Sequence, residues 1–326
     1  MTKKSFSEIS YPIEDELSRF KESFKSSLKS KVALVELVTR YILKQKGKKI
    51  RPILVLLSSK IVGEVSERSY RGATLVELLH TATLVHDDVV DNSETRRGFP
   101  SINAVWKNKI AVLMGDYLLA RGLMLAVDCN DFDFLKVITG TVKRMSEGEL
   151  LQINKTRKLD IDEETYFRII SDKTASLLAT CCEIGARAST NDESKISALK
   201  EFGENLGIAF QIRDDILDYI GTAKLFGKPL GADIKEKKIT LPLIHALKSA
   251  PHDQSKKIIS LLKSKERKTK VDEVIDFVKK YEGIEYSEKI AVQYSIKAQD
   301  KLKQFEISES RLSLEALVDF VVERKN

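Results

Sequence analysis

Helix-breaking residues and cysteines are scarce in this chain of 326 residues, which has only 15 glycines, 6 prolines and 3 cysteines. No proline occurs between Pro100 and Pro229. An all-β sandwich or barrel needs a turn signal about every 8–12 residues, and this composition does not supply them. The scarcity of helix breakers therefore predicts a protein built from long helices.

The cysteines and the apolar runs exclude several other classes of protein. Cys129, Cys181 and Cys182 are odd in number and form no Cys-x-x-Cys pair, which argues against a disulfide framework and a structural zinc site. The first residues lack the apolar core of a signal peptide. The longest uninterrupted apolar runs, such as 53–57, are far shorter than the roughly 20 residues of a membrane helix. We therefore expect a reduced, cytoplasmic protein without an integral membrane segment.

The charge of the chain is only mildly one-sided, with 55 Lys and Arg against 48 Asp and Glu, a net charge of +7. This excess is compatible with phosphates, membrane headgroups or nucleic acid and selects none of them. The lysine-rich stretch 254–272 lacks interleaved aromatic residues and a recognition helix. We interpret it as a solvated helix face followed by a loop, and we expect no nucleic-acid partner.

Apolar residues recur at a spacing of three to four along nearly the whole chain, and 42% of the residues are hydrophobic. No strand, glycine-rich loop and helix follow one another, so a Rossmann or P-loop nucleotide site has no support. No repeat and no linker divide the chain. These patterns predict one all-α domain over residues 1–326. The expected helix caps are Asp131 or Asn130, for a helix ending near Lys155, and Asp160 or Asp162 for the next helix.

Two segments place aspartates at the spacing Asp-Asp-x-x-Asp within apolar sequence. They are Asp87, Asp88 and Asp91 in the first segment and Asp214, Asp215 and Asp218 in the second. Residues three and four apart are neighbours on a helix, so each segment crowds its carboxylates into one patch where they repel each other. A hard divalent cation offsets this repulsion, and Mg²⁺ favours oxygen ligands shared with a phosphate. Two facing motifs would therefore hold several metal ions and a diphosphate.

Cations accompany both acidic motifs. Arg96 and Arg97 follow the first motif closely, and arginine is suited to bidentate contacts with phosphate. The further candidates are Lys48 and Arg51, in the segment that opens an early helix, and Lys173, Lys228 and Lys238 around the second motif. His80 lies two turns before Asp87 on the same helix face. Its position alone leaves a buried core histidine and a ligand-binding residue equally open.

Together these segments resemble the trans-type isoprenyl diphosphate synthases, also called polyprenyl synthetases, from Gly47 to His245. The matching segments are residues 47–52, 87–91, 96–98, 112–116, 147–149, 173–175, 210–218 and 226–229. The resemblance implies long, mostly antiparallel helices around a central cavity, and a homodimer. It also implies the Mg²⁺-dependent condensation of an allylic diphosphate with isopentenyl diphosphate. A peripheral membrane contact would serve the release of an apolar product.

The resemblance also assigns roles to individual residues, residue by residue. The ligands of two or three Mg²⁺ ions would be Asp87, Asp88, Asp91, Asp214 and Asp218. The allylic diphosphate would contact Arg96, Lys173, Lys228 and Lys238. Isopentenyl diphosphate would be held by Lys48, Arg51, His80 and Arg97. Thr174 and Gln211 would present oxygen atoms to the developing carbocation.

Four positions depart from the usual pattern of the family. Gln45 and Lys46 stand where glycines are common, and Lys49 stands where arginine is commoner. The segment 233–240 lacks the usual glycine before its lysine, which makes Lys237 a rival of Lys238 for the phosphate.

Product length is predicted from Ala82 and Thr83, which are five and four residues before Asp87. Bulky residues at these positions form the floor of the product site in the family, and here both are small. A helix rises about 1.5 Å per residue, so the tail would pass Ala82 and reach about C30 to C45. We therefore expect a product used for quinone side chains. A farnesyl or geranylgeranyl diphosphate synthase, a non-catalytic subunit of a heteromeric synthase and a class I terpene cyclase are the alternatives.

Overall fold

The fold is given by a computed structural model that describes residues 5–45, 47, 49–96, 98–220 and 230–322. Long helices dominate its first half, as the scarcity of helix breakers predicted. In chain order the elements are α1 (Phe6–Ser10), a 3₁₀ turn (Tyr11–Ile13), α2 (Glu14–Ser27), α3 (Ala33–Lys44), α4 (Ile50–Lys60), α5 (Glu67–Val90), β1 (Thr95–Arg96), β2 (Phe99–Pro100), α6 (Ile102–Asp128) and α7 (Phe132–Lys158). The two short strands pair antiparallel as a hairpin.

The second half of the chain is also helical where the structure describes it. The elements are α8 (Glu163–Ile170), a π-helical segment (Ser171–Ala175), α9 (Ser176–Ser189), α10 (Glu193–Ile220), α11 (Ala232–Lys235), α12 (Leu241–Ser249), α13 (His252–Lys263), a 3₁₀ turn (Lys265–Lys268), α14 (Val271–Lys280), α15 (Gly283–Leu302) and α16 (Glu309–Val322). The lysine-rich stretch forms the exposed side of α13 and the turn after it, as predicted.

Two clusters of buried apolar side chains hold these helices together. One cluster joins α1–α7 to α9 and α16, and the other joins α8 to α11–α14. The long helices α10 and α15 pack along each other and contribute to both clusters. Cys181 and Cys182 are fully buried in the first cluster, and burial raises the pKa of the Cys182 thiol to about 12. The adjacent cysteines therefore serve as core packing.

Only one of the two predicted aspartate caps works as a cap. The Asp162 side chain accepts a hydrogen bond from the Thr165 backbone N–H at 2.8 Å, which starts α8. Asp131 stands at the start of α7 but caps nothing. Its buried carboxylate instead accepts from the guanidinium groups of Arg68 and Arg71, at 3.0 and 2.8 Å. These arginines tie α5 to the turn between α6 and α7.

Helix α6 is unusually apolar for its length. Among the described residues, it alone is long and apolar enough by length and composition to cross a membrane, although its sequence is interrupted by polar residues. Only 33% of its most apolar stretch is buried. The helix as a whole leaves large apolar side chains exposed, namely Val105, Val112, Leu113, Met124 and Val127. A surface of this kind fits a protein contact as well as a lipid contact.

Alanine substitutions at two glycines should have opposite effects on the free energy of unfolding. A methyl group added at Gly207 on α10 would lie 2.5 Å from the Ala175 Cα, so Gly207→Ala should cost about 1–3 kcal/mol of unfolding free energy. A methyl group added at Gly140 on α7 meets no atom within 4 Å, so Gly140→Ala should stabilise by about 0.5–1 kcal/mol. Urea unfolding of both variants tests this contrast. Equal stability of the two variants would contradict the close approach of α10 to residue 175.

Candidate active site

The first acidic motif lies at the carboxyl end of α5. Asp87 and Asp88 belong to its last turn, and Asp91 follows the last helical residue. The Asp88 Oδ1 accepts from Arg96 Nε at 2.7 Å and from Arg96 Nη2 at 2.6 Å, and Asp88 is 3% exposed. The hairpin that follows the motif therefore returns Arg96 to the acids, as its position in the sequence indicated.

The second acidic motif lies in the carboxyl-terminal half of α10, and its three aspartates differ in their surroundings. Asp214 is half-buried, whereas Asp215 is 5% exposed. The two carboxylate oxygens of Asp218 accept hydrogen bonds from the backbone N–H groups of Ala232 and Asp233, both at 3.0 Å. Asp218 thus fastens α11 to α10, a contact that the motif spacing did not predict.

The segment that carries Lys173 and Thr174 is a π-helical turn between α8 and α9, a feature that often marks functional sites. Gly148 on α7 permits its close approach, since an added methyl group would lie 3.0 Å from the Asp172 Cβ. Arg144 fixes the segment from the same helix by donating to Asp172 and to Glu204, each at 2.9 Å. The turn is therefore held between α7 and α10.

Lys173 and Thr174 each face a polar partner. The Lys173 ammonium group pairs with the Glu149 carboxylate and donates to the Gln152 side chain at 3.3 Å. The Thr174 hydroxyl donates to the Gln211 Oε1 at 2.9 Å. Thr174 and Gln211 were predicted to act on the same cation, and the structure brings their oxygen atoms into direct contact.

These residues surround a cavity of about 320 Å³. Its walls come from α7, α8, the π-helical segment, α10 and residues 230–240. The lining residues that carry charge are Lys173, Asp214, Asp215, Asp218, Asp233 and Lys238. Lys238 lines the cavity and Lys237 does not, which favours Lys238 over its rival as the phosphate contact. Ala82 and Thr83 are not among the lining residues.

One aspartate of each motif has its pKa shifted by its surroundings. Burial raises the pKa of the Asp87 carboxyl, Lys173 opposes this change, and the charge of Glu149 reinforces it. Burial likewise raises the pKa of Asp215, with a further contribution from the charge of Asp233. Asp87 on α5 is thus within electrostatic reach of Lys173, which lines the cavity, and of Glu149, the ion-pair partner of Lys173.

The half-buried Lys238 balances part of this negative charge. Burial lowers the pKa of the Lys238 amine, but its 2.6 Å ion pair with Glu236 and the charge of Asp233 outweigh that effect and leave its pKa raised. Lys238 therefore stays charged at neutral pH, as a diphosphate contact requires.

The residues predicted to bind isopentenyl diphosphate are only partly described. Arg51 lies in the first turn of α4, and His80 lies on α5, against which α4 packs. His80 is 7% exposed, and the neighbouring Glu77 is paired with Lys49 at 2.6 Å. Lys48, Arg97 and Lys228 lie outside the described residues, so their roles stay predictions.

Comparison with known proteins identifies the family. A family model described as polyprenyl synthetase matches residues 32–279. The chain belongs to the polyprenyl synthetase family.

Relatives in this family differ in product. The chain is 36% identical over 284 residues to a short chain isoprenyl diphosphate synthase of Methanothermobacter thermautotrophicus, covering 86% of this chain and 87% of that protein. It is 35% identical over 314 residues to heptaprenyl diphosphate synthase component 2 of Bacillus subtilis, covering 96% and 89%. The structure of a polyprenyl synthase from Caulobacter crescentus, complexed with calcium and isoprenyl diphosphate, superposes with a TM-score of 0.92 at 30% identity and covers 100% of both chains. The chain is therefore a prenyltransferase with the all-α fold expected from its sequence.

Members of the polyprenyl synthetase family generally use Mg²⁺, an allylic diphosphate and isopentenyl diphosphate. The donor set at this site fits Mg²⁺, because both motifs offer carboxylate oxygens, the ligands that a hard cation prefers. In the part of the chain that the structure describes, no three carboxylate, histidine or cysteine side chains converge on one metal position. The carboxylates of the two helices would therefore have to draw together around ions that arrive with the diphosphate.

Four contributors to this polyprenyl synthetase site were not assigned from the sequence, namely Glu149, Gln152, Tyr166 and the buried Asp215. The Glu147-Gly148-Glu149 segment could have indicated Glu149 and Gln152, since a glycine between two acids on a long helix suggests that another segment of the chain packs closely there. Tyr166 had no local signal. Its contact with Asp215 joins residues 49 positions apart in the sequence and exists only in the fold.

Proposed function

We propose that this chain elongates an allylic diphosphate with isopentenyl diphosphate to an all-trans polyprenyl diphosphate of about C30 to C45, used for quinone side chains. One observation carries the proposal. The Lys173 ammonium group, the Thr174–Gln211 oxygen pair and the second acidic motif line one cavity within electrostatic reach of Asp87. Such a site separates a diphosphate anion from a prenyl cation without a nucleophilic side chain.

The allylic diphosphate would bind between the acidic motifs, with Arg96, Lys173, Lys228 and Lys238 as its direct contacts. Asp87, Asp88, Asp91, Asp214 and Asp218 would hold two or three Mg²⁺ ions, which neutralise the diphosphate and make it a better leaving group. Asp88 and Asp218 already accept hydrogen bonds from Arg96 and from the start of α11. With Mg²⁺ bound, these two aspartates would have to share their oxygen atoms between the metal and these hydrogen-bond donors.

Ionisation leaves positive charge on the prenyl carbon. The Thr174 and Gln211 oxygens stabilise this charge because they offer lone pairs but form no covalent bond to it. Arg51 and His80, together with Lys48 and Arg97, would hold isopentenyl diphosphate so that its double bond faces the cation. Alignment of the two substrates supplies much of the remaining acceleration.

A homodimer is the assembly that we propose. The support is the row of exposed apolar side chains on α6, which a second copy of the chain would cover. A heteromeric enzyme is the second candidate, because the Bacillus subtilis relative is named as component 2 of a synthase. Light scattering of the purified chain, alone and at the concentration used for assays, distinguishes a dimer from a monomer. The three free cysteines fit a cytoplasmic location.

The direct test incubates the purified chain with isopentenyl diphosphate, farnesyl diphosphate and Mg²⁺. We expect prenyl diphosphates longer than the primer, resolved by chromatography after dephosphorylation. No elongated product from the chain alone would overturn the catalytic proposal in favour of a non-catalytic subunit. A cyclic hydrocarbon without consumption of isopentenyl diphosphate would favour a terpene cyclase.

Alanine substitutions of the two adjacent arginines, Arg96 and Arg97, should raise the KM for different substrates. Arg97→Ala should raise the KM for isopentenyl diphosphate by about tenfold and change the KM for the allylic diphosphate much less, because a charge-assisted phosphate contact is worth about 1.5 kcal/mol or more. Arg96→Ala serves as the matched variant and should affect mainly the allylic substrate. Equal changes of both KM values in either variant would contradict this division of roles.

A further inference from the structure

A chain of three hydrogen bonds links four residues of the cavity wall. The Tyr166 hydroxyl donates to Asp215 Oδ2 at 2.7 Å, and the Gln211 side-chain N–H donates to Asp215 Oδ1 at 2.8 Å. The Thr174 hydroxyl donates to Gln211 Oε1 at 2.9 Å. We propose that Asp215 and Tyr166 are positioning residues that fix the orientation of the Gln211 amide. This inference rests on the proposed function, since it concerns the groups that would face the prenyl cation.

The orientation of a glutamine amide matters beside a cation because its two ends have opposite polarity. The Asp215 carboxyl oxygen accepts from the Gln211 nitrogen, so the amide N–H₂ end points toward the core and the carbonyl oxygen points toward Thr174. The single hydroxyl hydrogen of Thr174 is then used by Gln211. The lone pairs of the Thr174 oxygen are left for the cation.

Tyr166 holds the Asp215 carboxyl group in place, and this carboxyl group in turn orients the Gln211 amide. Tyr166 is 3% exposed and lies on α8. Its hydroxyl therefore donates to the second Asp215 oxygen from a helix other than the one that carries Asp215 and Gln211. Its ring packs edge-on against Phe167, with 5.5 Å between the centroids. With both oxygens occupied by donors from packed elements, Asp215 has little freedom to turn.

Stability alone gives no reason to keep a carboxyl group here. Asp215 is 5% exposed, and the charges of Asp233 and Asp214 disfavour its ionised form. Buried charged groups can often be replaced by apolar side chains without loss of stability. A buried aspartate that turns the Gln211 carbonyl oxygen toward Thr174 is better explained by catalysis than by folding.

The test measures preference for a cation and does not depend on turnover. Calorimetry with Mg²⁺ present compares an allylic diphosphate analogue that carries a trialkylammonium group at the cationic carbon with its uncharged carbon analogue. The wild-type chain should prefer the charged analogue. Asp215→Asn should reduce this preference by about tenfold, since asparagine accepts either amide orientation, while binding of the neutral analogue stays within about twofold.

Tyr166→Phe provides a second variant with an intact carboxyl group, and we expect a smaller loss, about threefold in the same ratio. Tyr219→Phe is the matched control. Tyr219 is a buried tyrosine on α10 whose hydroxyl bonds to Thr240 at 3.1 Å, outside this hydrogen-bond chain, so its removal should leave the ratio unchanged. In turnover assays, Asp215→Asn should lower kcat by about tenfold or more and leave both KM values nearly unchanged.

Three outcomes overturn the inference. They are an unchanged ratio in Asp215→Asn, an equal loss for both analogues, and a Tyr219→Phe effect as large as that of Tyr166→Phe. If Asp215→Asn does not fold, the Tyr166→Phe ratio decides. If the wild-type chain prefers the charged analogue but makes no prenyl product, the proposed function is refuted. The positioning roles are then still decided by the binding ratios of the variants. A wild-type chain that binds neither analogue refutes both.

Discussion

Asp87→Ala is expected to lower turnover by about a thousandfold, equivalent to about 4 kcal/mol in the activation barrier. Asp87 is half-buried at the end of α5, within reach of the charges of Lys173 and Glu149. Its removal takes away a carboxylate that would bind the Mg²⁺ ions that accompany the diphosphate. It takes nothing from the apolar core, so the thermal unfolding temperature should change little.

The measurement is steady-state turnover across a series of Mg²⁺ concentrations, with unfolding followed by circular dichroism. Asp276→Asn is a suitable control because Asp276 is an exposed carboxylate on α14, outside the cavity lining. It should keep full activity. Asp214→Ala should resemble Asp87→Ala, since Asp214 is a cavity-lining carboxylate of the second motif and one of its two proposed metal ligands. Near-normal activity in either alanine variant would refute the metal assignment.

The sequence predicted features that depend on local spacing. Asp87, Asp88 and Asp91 lie together because a helix brings residues three and four apart onto one face. The Asp162 cap was predictable for the same reason, since its hydrogen bond spans three residues. The family and its prenyl transfer chemistry followed from such local motifs, and the comparisons confirm both.

The features that the sequence did not predict depend on contacts between distant segments. Asp131 has the sequence position of a helix cap, but two arginines of α5 bind its carboxylate more strongly than a backbone N–H would. The π-helical turn at Lys173 and Thr174 depends on close approach to Gly148 and Gly207. No periodicity of apolar residues distinguishes such a turn from an ordinary α-helix.

Product length depends on space beyond the cavity that the structure outlines. Ala82 is 2% exposed and Thr83 is half-buried, and neither lines that cavity. Deeper along α5, Leu78 and Leu75 are buried against α6, where an added methyl group at Gly122 would lie 3.2 Å from the Leu75 side chain. A growing tail would therefore pass Ala82 and separate α5 from α6. The small side chains of Ala82 and Thr83 leave room for this passage, and the apolar side chains of Leu78 and Leu75 would contact the apolar tail favourably.

Ala82→Phe should shorten the main product from about C30–C45 to about C15–C20, because one helical turn of about 5.4 Å corresponds to roughly one isoprene unit of depth. Chromatography of the dephosphorylated products measures the change. The buried site makes overpacking a concern, at about 1–3 kcal/mol, so Thr83→Phe at the half-buried neighbour provides a second variant. Thr81→Phe adds the same bulk about 200° around the helix from residue 83 and should leave the length unchanged. A wild-type product already at C15–C20, or an unchanged length in both the Ala82 and Thr83 variants, would show that the tail does not follow α5.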